Sequence, residues 1–259
     1  MKKIVLFDMD GTITPARKRI EWEMIDALTD LQRAGFEIGI VTGSDIEYVE
    51  QQMDLIFDLS TVDPFKIHYL PCNGTKYYRM DSSGFKAVYE NNMREYIGDE
   101  KWSKIIKILI NLQASMINLY DMIPAVGRFI NYRGSMINWC PIGRQAEDQD
   151  RTQWCLWDRR QNIRGTMYKI ARQGLNNSDL EDIIIKMGGE TSFDIYPEGW
   201  DKTFAFNNFK DYDKVYFVGD RCFEHGNDRE AFLKAGELGY STSGPNETVK
   251  IIKKIIKEG

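Results

Sequence analysis

The chain has 259 residues, close to the length at which one hydrophobic core gives way to two, so two domains are expected. With 42% hydrophobic and 28% charged residues it has material for sizeable cores, which excludes a disordered chain. A net charge of −5 excludes general nucleic-acid binding but leaves room for a local cluster of arginines facing a small anion.

The opening "KIVLF" reads as a buried strand, short, apolar and β-branched, and "FEIGIVTG" (36–43) reads the same way. Between them, residues 20–34 place Ile20, Met24, Ala27, Leu28 and Leu31 on one helical face, with Gly35 as the terminating residue. Ser44 and Glu47 have capping-box spacing for a following helix that carries Val49, Met53 and Ile56 inward. After "HYLPCNG" the pattern changes to a hairpin, "TKYYRM" and "FKAVYE" about "DSSG", where a different domain is expected to begin. A helix near 99–112, two β-rich stretches meeting at Arg133-Gly134-Ser135, a helix near 158–173 and two strands about Gly188-Gly189 continue it. From Trp200 the first pattern returns: a short helix, the strand "KVYFVGD", the amphipathic "NDREAFLKAG" and a last helix with a stripe of Ile251, Ile252, Ile255 and Ile256. The expected architecture is a Rossmann-like α/β core with a parallel sheet, built from residues 1–83 and 200–259, with an α+β domain of residues 84–199 inserted between them.

Four cysteines without CxxC spacing and only two histidines give no zinc signature, and the cysteines read as reduced thiols. The first apolar run, "IVLF", is too short for a signal peptide, and no apolar span of about 20 residues occurs. A cytoplasmic protein without a membrane partner is the expectation.

Ligands of open α/β sheets bind beyond the carboxyl ends of the strands, where "FDMDGT" places Asp8 and Asp10. Asp8 can attack a phosphoryl group if a cation neutralises the crowded negative charge, and Asp10 can protonate the leaving oxygen. Alone the motif could equally be a strand-end turn. However, "VYFVGD" ends a second apolar strand at Asp220, which can hold Mg²⁺ together with Asp8, and Asp228 follows at the start of a helix. Lys202 can neutralise phosphoryl oxygens or orient Asp8, and Thr42 can donate its hydroxyl to phosphate. Arg133, Arg144 and Arg151 in the inserted segment suggest a second anion site, because guanidinium groups bind phosphate bidentately and stay charged. Each taken singly reads as a solvated surface side chain.

Through "FDMDGT", "VTG", Lys202 and "GDRCFEHGND", in that order, the sequence resembles the haloacid dehalogenase superfamily of aspartate-nucleophile phosphotransferases. The resemblance implies a core of that type with an inserted α+β cap, an aspartyl phosphate on Asp8 and Mg²⁺ held by Asp8, Asp10, Asp220 and Asp228. It narrows to the eukaryotic-type α-phosphomannomutases through "FDMDGTITPAR", "GSD", "MIN" with "PIGR", "SFDIYPEGWDK" and "LGYS". That narrower resemblance implies catalysis by Asp8, Asp10 and Lys202. It implies core-side substrate contacts from Arg17, Thr42, Gly43 and Ser44, and cap contacts from Arg133, Arg144, Arg151, Ser192 and Asp194. It further implies a hexose 1,6-bisphosphate activator, small hexose phosphates as substrates and a homodimer formed through the cap, in which Trp102, Trp154 and Trp157 could be buried.

Interconversion of mannose 6-phosphate and mannose 1-phosphate is therefore the expected activity. The sequence departs from the family pattern at Thr42, at "RGSM", at Phe223-Glu224-His225 and at "LKAGE". Thr42 and the altered loop give the alternative of a Mg²⁺-dependent sugar-phosphate phosphatase. A metal site spoiled by Glu224 and His225 would leave a non-enzymatic phosphosugar-binding protein.

Overall fold

Ile4, Val5, Leu6 and Phe7 form an unbroken apolar run because the strand they build, β1 (Lys3–Phe7), is covered on both faces. The computed structural model describes residues 1–59 and 61–259. They form two units, Met1–Glu90 with Gly199–Gly259, and Asn91–Glu198.

In the first unit β1 pairs in parallel with β2 (Glu37–Val41) on one side and β10 (Lys214–Gly219) on the other. Strands β3 (Ile67–Leu70), β4 (Lys76–Asp81), β5 (Gly84–Glu90) and β11 (Gly239–Ser241) complete a seven-stranded sheet of order β11-β10-β1-β2-β3-β4-β5. Side chains alternate across a strand, so Val5 and Phe7 face one layer and Ile4 and Leu6 the other. The first layer holds α1 (Trp22–Arg33), α2 (Ile46–Gln52) and α8 (Pro245–Glu258), with Met24, Leu28, Leu31, Val49, Ile252 and Ile255 in its core. The opposite layer holds the 3₁₀ segment Lys202–Phe209 and α7 (Arg229–Ala235), through Ala205, Phe206, Phe209 and Ala231.

Three expectations are corrected here. The hairpin expected to open the second domain instead extends the core sheet: β4 and β5 run antiparallel beyond β3. Aromatic contacts hold it there, with Phe85 edge-on to Tyr69 at 4.9 Å and to Phe57 at 5.5 Å. Helix α2 is capped by Asp45 and not by Ser44, since the Asp45 carboxylate accepts the Tyr48 N–H (3.3 Å), while the Ser44 N–H is bound to Thr42 Oγ1 (3.1 Å) and its carbonyl to Cys72 N (2.8 Å). The inward stripe of Val49, Met53 and Ile56 spans two short helices, α2 and α3 (Asp54–Leu59).

The second unit is a four-stranded antiparallel sheet of order β6-β7-β9-β8, built from β6 (Ile130–Tyr132), β7 (Ile137–Trp139), β8 (Ile183–Gly188) and β9 (Ser192–Pro197). Its helices are α4 (Met93–Leu119), interrupted at Gly98 (φ 81°), α5 (Asp148–Gln161) and α6 (Ile163–Asn176). The single helix expected near 158–173 is two, divided by Asn162 in the left-handed region (φ 50°). Helix α5 escapes a periodicity reading because Trp154 is its one buried side chain. No helix is long and apolar enough, among the described residues, to cross a membrane.

Because Ile252 is fully buried where α8 packs on α1, Ile252→Ala should cost about 2–5 kcal/mol. Chemical denaturation should show this as a lower midpoint at an unchanged slope.

Candidate active site

Strand β1 ends at Phe7 and β10 at Gly219, and their parallel register sets Phe7 beside Val218, so Asp8 and Asp220 leave the sheet at the same edge. The Asp8 N–H is tied to Val218 O at 2.9 Å. Close approach here requires glycine. A Cβ on Gly11 (φ 83°) would lie 2.6 Å from Asp220 Oδ2, and one on Gly219 would lie 2.8 Å from Asp228 Cγ.

Asp8, Asp220 and Asp228 bring one carboxylate oxygen each to within 4.8 Å of one another. Lys202, 1% exposed, donates to Asp8 Oδ1 and, at 2.6 Å, to Asp228 Oδ1. The remaining carboxylate oxygens are partly served: Thr12 Oγ1 donates to Asp8 Oδ2 at 3.1 Å and Arg221 N to Asp228 Oδ2 at 3.0 Å. Three carboxylates facing one ammonium in a buried setting leave an excess of negative charge. Burial, then the charge of Asp228, pushes the Asp8 carboxyl up to about 8 against the pull of Lys202. Burial and Asp228 likewise bring Asp220 to about 6. Burial works against the Lys202 charge, but Asp228 and Asp8 outweigh it and hold the ammonium above the ordinary lysine range. The donor set is all carboxylate oxygen and carries excess negative charge, which suits a hard divalent cation such as Mg²⁺.

The Asp10 carboxylate lies outside this group of three carboxylates. Its Oδ1 is drawn aside by two donors, Arg17 N at 2.8 Å and Tyr48 Oη at 2.9 Å. Thr42, buried at the end of β2, accepts the Ser44 N–H on its hydroxyl oxygen, which leaves the hydroxyl proton to donate elsewhere. Gly43 and Ser44 continue that loop, whose carbonyls at Thr42 and Ser44 receive Asn73 N (2.7 Å) and Cys72 N.

The second unit has a polar centre of its own. Cross-strand register lines up Asn131, Asn138, Asp194 and Lys186 across β6, β7, β9 and β8 on one face, while Trp139 and Phe193 stack on the other at 5.0 Å. The buried Asn138 amide is its hub. Nδ2 donates to Asp194 Oδ1 (2.7 Å) and Ser192 Oγ (3.1 Å), and Oδ1 accepts from Arg144 Nη1 (2.8 Å). Arg144, Ser192 and Asp194 are thereby brought together on one amide. The Asn138–Arg144 bond restrains the guanidinium of Arg144, an otherwise exposed residue. Arg133 sits in the β6–β7 turn, its N–H on Met136 O, and Arg151 in the first turn of α5.

A family model described as eukaryotic phosphomannomutase matches residues 24–258. The chain belongs to that family. The phosphomannomutase of Schizosaccharomyces pombe is 32% identical to it over 256 residues, covering 98% of this chain and 94% of that protein. Among solved structures, an IMP-bound IMP-nucleotidase of Plasmodium falciparum is similar with a TM-score of 0.68 at 15% identity, covering 100% of this chain and 67% of that one. A trehalose-6-phosphate phosphatase of Aspergillus fumigatus aligns with a TM-score of 0.54 at 15% identity, over 99% and 93% of the two chains. These two likenesses speak for the fold alone.

The loop after Asp220, one of the places where the sequence departs from the family pattern, still delivers Asp228 to the cluster. Phe223, Glu224 and His225 are exposed, while Asp228 N–H returns to Arg221 O at 3.2 Å and Cys222 is buried beneath. Thr12, Tyr48 and Asn138 were absent from the sequence reading. Thr12 stands inside "FDMDGT" and Asn138 is a polar residue between Ile137 and Trp139 on a strand, so both had a local signal. Tyr48, 38 residues from Asp10, had none.

Both shifted carboxyls lie above the ordinary Asp value of 3.8, so the native state holds protons that the unfolded chain has lost. Stability from this pair is therefore greatest at acid pH and falls as pH rises through about 6 and about 8. With chelator present, the Tm contribution of the cluster should drop between about pH 4 and 8, and Asp8→Asn should shrink that drop. Added Mg²⁺ should raise Tm more at the alkaline end, since it no longer competes with protons. A Tm in chelator that Asp8→Asn leaves unchanged in its pH dependence would contradict the assignment.

Proposed function

We propose that this chain is a phosphomannomutase that interconverts mannose 6-phosphate and mannose 1-phosphate through a phosphorylated Asp8. The observation that carries the reading is the pairing, on one chain, of a buried aspartate cluster with a separate Arg144–Asn138–Ser192–Asp194 centre. A phosphatase needs one phosphate site, whereas a mutase must hold the phosphate it is not transferring.

In the proposed reaction a hexose 1,6-bisphosphate gives one phosphoryl group to Asp8. The bond from phosphorus to the Asp8 oxygen forms as the bond to the sugar oxygen breaks, and that oxygen takes the proton of Asp10. In the return step a sugar hydroxyl attacks the aspartyl phosphate, surrenders its proton to the Asp10 carboxylate and releases Asp8. Mg²⁺, held by Asp8, Asp220 and Asp228, would supply charge neutralisation for the approach of an anionic nucleophile to an anionic phosphate. Lys202 keeps the Asp8 oxygen oriented and shares its charge. Arg17 and Thr42 are assigned to the phosphate being transferred, and Arg133, Arg144 and Arg151 to the other one. Ser192 and Asp194 are assigned to the sugar.

We also propose a homodimer formed through the second unit. Trp154 fills that unit's own interior, so the support comes from its exposed Tyr96, Leu119, Leu156, Tyr168 and Ile170. The four cysteines are free thiols, which supports the cytoplasmic location expected from the sequence.

Incubation with Mg²⁺, mannose 1-phosphate and a trace of glucose 1,6-bisphosphate should yield mannose 6-phosphate without matching release of inorganic phosphate. Asp8→Asn should reduce both turnover and covalent labelling to background, because an amide is a poor nucleophile. Stoichiometric phosphate release with little isomer, at saturating activator, would replace the mutase by a phosphatase. Light scattering at micromolar concentration should report about twice the chain mass, and a monomer would refute the dimer.

A further inference from the structure

In the proposed reaction Asp10 carries the proton, and its carboxylate is held unequally. Both of its hydrogen-bond donors, Arg17 N and Tyr48 Oη, converge on Oδ1, whereas Oδ2 accepts no hydrogen bond among the described residues. Neither donor is placed cheaply. Arg17 presents its N–H from a left-handed backbone (φ 61°), a conformation disfavoured for any residue with a side chain. Tyr48 is set by the cap of α2, where the Asp45 carboxylate accepts the Tyr48 N–H at 3.3 Å. One residue before that cap, Ser44 N–H is bound to Thr42 Oγ1, so a single short segment positions both the Thr42 hydroxyl and the Tyr48 phenol.

We propose that Tyr48 is a positioning residue that assigns the mobile proton of Asp10 to Oδ2. The inference rests on the phosphoryl-transfer chemistry proposed above. An oxygen already facing two donors has no room for a hydrogen of its own pointed at them, so the protonated acid carries its hydrogen on Oδ2. The ionised form keeps the same two bonds on Oδ1. The group therefore passes between acid and base without turning about its Cβ–Cγ bond or exchanging partners. As the sugar oxygen leaves phosphorus it takes the hydrogen from Oδ2, and as a sugar hydroxyl later attacks the aspartyl phosphate its hydrogen returns to Oδ2. With the phenol removed, Oδ1 keeps only the backbone donor and the proton is free to reside on either oxygen.

The bland alternative is that the phenol merely braces the 8–17 turn, in which case its loss would slow every substrate alike. Leaving groups separate the two. Tyr48→Phe keeps the ring and removes the hydroxyl. Single-turnover phosphorylation of Asp8 should be followed with glucose 1,6-bisphosphate, whose alkoxide needs a proton, and with 4-nitrophenyl phosphate, whose nitrophenolate needs almost none. The expected result is a loss on the order of tenfold or more with the bisphosphate and less than about twofold with the aryl ester. Asp45→Ala, which loosens the cap that places Tyr48, should show the same selectivity in weaker form and serves if Tyr48→Phe folds poorly. An equal loss with both phosphoryl donors, or no loss with either, would overturn the proposal. Wild-type protein that releases phosphate without forming isomer would instead overturn the mutase reading, and the leaving-group comparison would still decide the role of Tyr48.

Discussion

The Lys202 ammonium, buried between Asp8 and Asp228, is the interaction on which the rest of the first unit depends. Two carboxylates at this depth repel each other and lose their hydration, and one cation shared between them makes their proximity tolerable. The same contact joins parts of the chain that lie 194 residues apart, so it ties the turn after β1 to the segment that follows the second unit. Its inverse also matters. The lysine balances only part of the negative charge, and the residual excess makes the place attractive to a divalent cation and to a phosphoryl group that arrives with one.

Everything else in the first unit positions that contact. Burial of β1 on both faces fixes its height in the sheet, since each of its side chains has an apolar neighbour above or below. The motif glycines then remove the atoms that would keep the turn away from Asp220 and Asp228. The second unit follows a different logic, with one apolar sheet face and one polar face, so alternation along a strand produces a row of hydrogen-bonding groups there. A buried amide in the middle of that row orders three side chains at once. It can do so because an amide offers two hydrogens and an acceptor, whereas a hydroxyl has one hydrogen and a carboxylate none, so either in that place would leave a neighbour unmatched.

Much of this was legible in the sequence. The apolar runs ending in aspartate at Phe7-Asp8 and Gly219-Asp220, the helical stripes of α1 and α8, and the strand pair about Gly188-Gly189 all follow from periodicity and turn chemistry within a few residues. What failed depended on tertiary context. The β4–β5 hairpin looks like the start of a new domain because antiparallel alternation replaces parallel runs, and only the packing of Phe57, Tyr69 and Phe85 assigns it to the older sheet. The setting of Asp10 was invisible because its two partners, a backbone N–H seven residues on and a phenol on α2, obey no spacing rule.

The parallel pairing of Lys3 with Lys214 has a consequence for how the protein is made. During synthesis β1 is made early, but the strand that covers its second edge lies more than two hundred residues downstream. At about 5–20 residues per second that edge waits roughly 10–40 s with its hydrogen-bonding groups unpaired. All four strands of the second unit lie within Asn91–Glu198, so that sheet can close while the first is still incomplete. The order of assembly is thus imposed by connectivity: the inserted unit can mature before its host sheet is complete, because Lys202 and two of the three clustered carboxylates, Asp220 and Asp228, follow it in the chain.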